Sequence, residues 1–203
     1  TMRQALVRAL WHASHRSAFG AKLVDQPLMR NVLADLALES EAATLLAMDL
    51  ATHFGSTTAL DTAWRRVMTP VAKFWNCKRA VGLTGEAMEV FGGNGYVETG
   101  PMGRLFREAP VNSIWEGSGN VMCLDTLRAM ARHPKSIEVL TAEISPALGR
   151  NRSFDAFVGA LQKGLSNPQD IEIRSRELTQ GIALAMQGAL LLRHAPAPVA
   201  EAF

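Results

Sequence analysis

Apolar residues recur at spacings of three, four and seven along most of the chain, the pattern of helices that bury one stripe. Leu28, Val32, Leu36, Ala43, Leu46 and Leu50 fall on one such face, which predicts a helix running to about His53. Asp25 is placed to cap it, with Pro27 in the first turn, where a missing amide proton costs little. Gly55-Ser56-Thr57 ends it. Upstream, a first helical segment runs to about Ala18 and breaks at Phe19-Gly20. A third helical region spans about Leu60 to Phe91, and Pro70 removes one i to i−4 bond, which predicts a kink or restart there. The Gly92-Gly93-Asn94-Gly95 turn closes that region.

Downstream, a short helix near Met102 to Glu108 leads into a turn from Ile114 to Asn120, then a helix to about Arg132 that stops before Pro134. From Ser136 to His194 three more helical patterns are separated by Pro146, by Gly149 to Ser153 and by Gly164 to Pro168. The final RHAPAPVAEAF is expected to lie along the surface or fray. The fold class read from this pattern is all-α: an up-down four-helix bundle over 1–133 followed by a helical C-terminal extension over 134–203.

Composition supports helices, because Leu and Ala dominate over β-branched residues and lose less rotamer freedom in a helix. Apolar residues make up 48% of the 203 and charged residues 20%, enough for one sizeable core. The net charge of +2 is too small to imply a polyanion partner by itself. Cys77 and Cys123 lack any spacing that suggests zinc and read as reduced small hydrophobes, so no metal is expected. The longest apolar run, near Ile182 to Leu192, is too short to cross roughly 30 Å of hydrocarbon. A soluble cytoplasmic protein without a membrane partner is expected. The opening run TMRQALVRALWHASHR has helical texture and no cap before it, as though a helix had been cut, so the chain reads as a fragment.

Four short motifs stand in order: Arg16-Ser-Ala-Phe19-Gly20, Gln26, VFGGNGY from Val90 to Tyr96, and IWEGSGN from Ile114 to Asn120. Singly they fit helix ends and caps as well as they fit chemistry. In this order on a helical bundle, the stretch from roughly Leu6 to Leu127 resembles the C-terminal domain of the acyl-CoA dehydrogenase superfamily. The resemblance implies a homo-oligomer, dimer or tetramer, with FAD held between this bundle and a preceding β-domain. It implies that Arg16, Phe19 and Gln26 contact FAD pyrophosphate and adenine across a subunit interface. Gly92 and Gly93 would let backbone approach the cofactor, as only glycine does without a Cβ. Ser118 and Asn120 would supply polar contacts at the flavin end.

Glu116 matches the family's general base, which takes the α-proton of an acyl-CoA or related thioester while the β-hydrogen leaves as hydride to the flavin. An α-proton beside a thioester is weakly acidic, and a positioned base contributes about 10²- to 10⁴-fold. Ile114 and Trp115 are expected to desolvate it. One departure is Glu89, which stands where the family commonly has Gln and would need a cationic partner near an anionic cofactor.

The chain continues for about seventy residues beyond Arg132, further than typical family members. With PVAKFWNCKRA, SIWEGSGN and MCLDTLRAM, this tail resembles the AidB-type alkylation-response branch, associated with double-stranded DNA. Arg128 and Arg132, four apart on one helix face, are the candidate phosphate contacts, with Arg150, Arg152, Arg174, Arg176 and Arg193 further on. Interleaved Glu138, Glu143, Asp155, Asp170, Glu172 and Glu177 fit an ordinary solvated face equally well. Three readings therefore stand open: an acyl-CoA oxidising flavoenzyme with Glu116 as base, a flavoprotein that shields DNA, and an isolated bundle. The missing β-domain implies weak or absent FAD binding by this chain alone.

Overall fold

The computed structural model describes residues 1–133 and 135–203. Helix α1 is Met2–His15, and a two-residue hairpin follows, β1 at Ser17–Ala18 and β2 at Ala21–Lys22. Its connection is Phe19-Gly20, with φ of 53° and 84°. Positive φ at both central residues gives the turn a twist that matches paired strands. After a 3₁₀ turn at Leu23–Asp25 come α2 (Pro27–Thr52), α3 (Ala59–Glu89), α4 (Gly93–Tyr96), α5 (Met102–Asn112) and α6 (Gly119–Arg132). The remainder holds α7 (Lys135–Ile144), α8 (Arg152–Ser166), α9 (Ser175–His194) and the short α10 (Ala197–Ala202). The all-α class read from the sequence holds.

The chain forms two compact units, and α2 and α3 run through both. Unit 1 comprises residues 1–41 and 76–115. Its core takes Leu6, Ala9 and Ala13 from α1, Leu33 and Leu36 from α2, Leu83, Ala87 and Val90 from α3, and Met102 from α5. Unit 2 comprises residues 42–75 and 116–203. Here Leu46 of α2 and Trp64, Val67, Met68 and Val71 of α3 share one core with Leu140 of α7, Val158 of α8 and Ile182, Met186 and Leu190 of α9. Helix α9 packs against α6, α7, α8 and α10, and the run from Ile182 to Leu191 is buried except for Leu184.

Three local expectations change. Helix α3 is continuous through Pro70, because Val67, Met68, Val71 and Ala72 on either side are buried in the unit 2 core and their packing outweighs one lost backbone bond. Helix α2 is capped at Gln26 rather than Asp25: Asp25 ends the 3₁₀ turn, and the Gln26 carbonyl accepts from the Arg30 amide at 3.0 Å. Leu28, assigned to the buried stripe of α2, is 78% exposed. The end of the chain forms α10, while Pro134, expected to stop α6, lies outside the described residues.

Helix α8 opens with Asn151, whose side chain accepts from Ser153 and Phe154 amides at 2.8 and 3.1 Å. Neither cysteine is in a disulfide; Cys123 is buried and Cys77 half-buried. Among the described residues no group of side chains has the make-up of a metal site, and no helix is long and apolar enough to cross a membrane.

Candidate active site

The motif residues divide between the units. Arg16, Phe19, Gln26, Gly92 and Gly93 lie in unit 1, and Glu116, Ser118 and Asn120 in unit 2. In unit 1, Phe19 sits at the hairpin tip, 98% exposed and in the left-handed region, a combination that costs a bulky side chain energy and gains no packing within the chain. Gln26 ties the hairpin to the start of α2 by donating from Nε2 to the Ala18 carbonyl at 2.8 Å. Arg16 is exposed, and among the described residues its guanidinium makes no hydrogen bond. Its charge, after burial, contributes to holding the pKa of His12 below the ordinary histidine value; the His12 ring stacks on Phe91 at 4.2 Å.

Helix α3 ends at Glu89, and in the turn that follows Gly92 adopts φ 59° and ψ −142°, a conformation that favours glycine. A Cβ on Gly92 or Gly93 would meet nothing within 4 Å, so both present bare, accessible backbone. Gly95 differs: a Cβ there would fall 2.1 Å from the Met88 carbonyl oxygen, so this glycine serves the close return of the turn onto α3. Glu89 is exposed, and its carboxylate meets no cation among the described residues.

In unit 2, the turn before α6 places Glu116 at φ 54° and Gly117 at φ 104°. A non-glycine residue in that region costs about 1–2 kcal/mol, so other contacts must enforce it. One is Lys73 of α3, whose ammonium donates to the Gly117 carbonyl. Ser118 is the N-cap of α6 in extended conformation, and the Asn120 Oδ1 accepts from Arg176 Nη1 at 3.2 Å. Glu116 is exposed, as are Ile114 and Trp115 at 63% and 59%. The desolvation expected from those two side chains is thus not supplied within this chain.

Sequence reasoning passed over Lys73. The available signal was a lysine inside an otherwise buried run, Val71, Ala72 and Phe74, where an unpaired charge is costly.

The C-terminal arginines are largely committed internally. Arg174 caps the end of α8 by donating to the Gly164 and Asn167 carbonyls, Arg150 donates to the Leu192 carbonyl, and Arg193 pairs with Glu143 at 2.9 Å. Arg128 and Arg132 remain exposed on α6 and, with Arg152, make no side-chain hydrogen bond among the described residues.

A helical fold with an ordered series of hairpin, glycine turn and carboxylate turn defines the class, and the chain belongs to the acyl-CoA dehydrogenase family: residues 1–131 match the model of the acyl-CoA dehydrogenase C-terminal domain. Over its whole length it is 43% identical to AidB of Escherichia coli (strain K12), covering 37% of that protein, which supports the AidB-type branch. It is similar to Caenorhabditis elegans ACDH-11, solved in complex with C11-CoA, with a TM-score of 0.88 at 27% identity over 98% of this chain and 38% of that one. Butyryl-CoA dehydrogenase from Megasphaera elsdenii aligns at 31% identity and a TM-score of 0.55, over 64% of this chain and 33% of its own. The chain therefore spans less than two fifths of the length of these relatives.

Proposed function

We propose that the chain is the helical part of an FAD-dependent acyl-CoA dehydrogenase-type oxidoreductase, with Glu116 as the base for the α-proton of an acyl thioester. The observation that carries this reading is the Glu116-Gly117 turn. A carboxylate is held in a strained left-handed conformation at the start of α6, exposed and without a salt-bridge partner, in a chain of this family. The C11-CoA bound by ACDH-11 supports a thioester as substrate class.

For FAD, the bare backbone at Gly92 and Gly93, the uncommitted Arg16 guanidinium and the exposed Phe19 ring fit a cofactor with a pyrophosphate and a flat aromatic end. When bound, FAD supplies the hydride acceptor. The chain's own part is to hold the cofactor and present the carboxylate. The exposed apolar side chains of unit 1, Val7, Trp11, Phe19 and Leu28, suit burial in a homo-oligomer.

The test is Glu116→Gln in the full-length flavoprotein. Flavin content is retained, and flavin reduction by C11-CoA falls by at least about 10²-fold. Unchanged reduction in the variant overturns the assignment.

A second reading, double-stranded DNA binding, is favoured by Arg128 and Arg132, exposed on one face of α6 and free of hydrogen-bonded carboxylates. Such binding is sequence-independent and falls steeply with salt.

A further inference from the structure

Three consecutive residues of α3, Lys73, Phe74 and Trp75, lie in the PVAKFWNCKRA stretch for which the proposed reaction has no use. Each meets a different part of unit 2. The Lys73 ammonium donates to the Gly117 carbonyl. Phe74 lies under the Arg176 guanidinium, 5.7 Å from ring centroid to the guanidinium carbon, and Arg176 also reaches Asn120 in the first turn of α6. Trp75 Nε1 donates to Gln187 Oε1 of α9 at 3.1 Å. The stretch thus joins the carboxylate turn to the C-terminal helices.

Lys73 is the pivot of this arrangement. It is half-buried among core residues, and among the described residues no carboxylate pairs with it. An ammonium kept partly out of water without a counter-charge is unfavourable unless its hydrogen bond matters to the structure. The carbonyl it holds belongs to the peptide unit that follows the Gly117 Cα, and Gly117 with Glu116 forms the left-handed pair of the turn. Holding that carbonyl anchors Gly117, the flexible residue that follows Glu116, and so restrains the backbone of the turn from which the Glu116 side chain leaves.

We propose that Lys73 is a positioning residue for Glu116: by holding the Gly117 carbonyl it sets the left-handed turn that aims the carboxylate. This rests on Glu116 acting as the base. Geometry of this kind affects rate more than binding, because a misplacement of about 1 Å lowers rates by about 10²-fold.

The experiment uses the full-length flavoprotein and two readouts. The first is exchange of the α-hydrogen of C11-CoA in D2O, in which the C–H bond breaks, the proton passes to the carboxylate and a deuteron from solvent returns to carbon. No electrons leave the substrate in this step. The second is amide exchange across residues 113–122, which needs no substrate. Lys73→Met is expected to lower the α-exchange rate about 10²-fold with KM for C11-CoA little changed, and to raise amide exchange within 113–122. Lys73→Arg keeps a donor and recovers most of both. Glu116→Gln abolishes α-exchange but leaves the amide pattern intact.

If Lys73→Met matches the wild type in both readouts, the proposal is overturned while Glu116 stands. If Glu116→Gln exchanges the α-hydrogen as fast as wild type, the base assignment fails and Lys73 loses its catalytic meaning. Should Lys73→Met not fold, Lys73→Gln serves as the second variant. Lys73→Arg failing to recover the rate despite normal flavin content also counts against the proposal.

Discussion

Arg66 of α3 grips Asp125 of α6 in a two-point fork, Nη1 to Oδ2 at 2.7 Å and Nη2 to Oδ1 at 2.8 Å. The bidentate match of guanidinium and carboxylate is the strongest geometry open to an ion pair. It fixes the helix that begins at the Glu116 turn against the helix that carries Lys73.

Arg66→Met is expected to destabilise the protein by about 1 kcal/mol, a value held low because both side chains are about a third exposed. The Arg66 hydrogen bonds lower the Asp125 pKa, against a smaller opposing effect of burial, with the charges of Arg66, Arg128 and Arg132 adding to the lowering. A depressed folded-state pKa gives stability that is present above the unfolded value and lost as pH falls through the folded one. The difference between wild type and Arg66→Met in thermal unfolding should therefore shrink below about pH 4.

Asp61 organises the loop between α2 and α3 by accepting from Ser56 Oγ and Thr58 Oγ1 and by pairing with His53 Nδ1 at 2.6 Å. These hydrogen bonds hold its carboxyl well below the usual range. Asp61→Ala should increase proteolysis and amide exchange at residues 53–58 at neutral pH. In acid the wild type approaches the variant, because the contribution of Asp61 is lost as pH falls below the ordinary carboxylate value. Equal exchange of that loop in both proteins at pH 7 would contradict the role assigned to Asp61.

The glycines of the GGNG turn should separate into two kinds. Gly95→Ala forces a Cβ onto the Met88 carbonyl and should cost about 1–3 kcal/mol in denaturant unfolding. Gly93→Ala meets open space, so its unfolding midpoint should stay within about 0.5 kcal/mol of wild type. Under the flavin reading, the same Gly93→Ala weakens FAD retention in the full-length protein, measured by flavin absorbance after dialysis.

The DNA reading makes a quantitative claim about salt. If Arg128 and Arg132 each neutralise one phosphate, the doubly substituted Arg128→Ala, Arg132→Ala protein should show a log–log salt slope smaller by about 1.8. Parallel slopes for the two proteins in a fluorescence anisotropy titration would remove these arginines from any DNA contact.

Much of the candidate site was legible because its signals are local. Phe19-Gly20 breaks a helical period and forms the hairpin turn, and Leu36, Ala43 and Leu46 of the α2 stripe are buried as their spacing predicts. Other features depend on partners distant in sequence. Pro70 reads as a break until the buried faces around it are known, and the tie from the Gln26 amide to the Ala18 carbonyl has no signature along the chain. Arg174 and Arg193 read as surface charge, but they hold the Asn167 carbonyl and Glu143.

By itself the sequence determined the helical periods, the glycine turns and the order of motifs that marks the family, since each arises from side chains three or four residues apart or from one residue's allowed dihedrals. Only the tertiary structure decided which charges are spent inside the fold and which remain available. Lys73 meets Gly117 and Arg66 meets Asp125 across 44 and 59 positions of chain. A hydrogen bond over such separations exists only once helix packing has brought the two backbones together, so no period or spacing along the chain carries it.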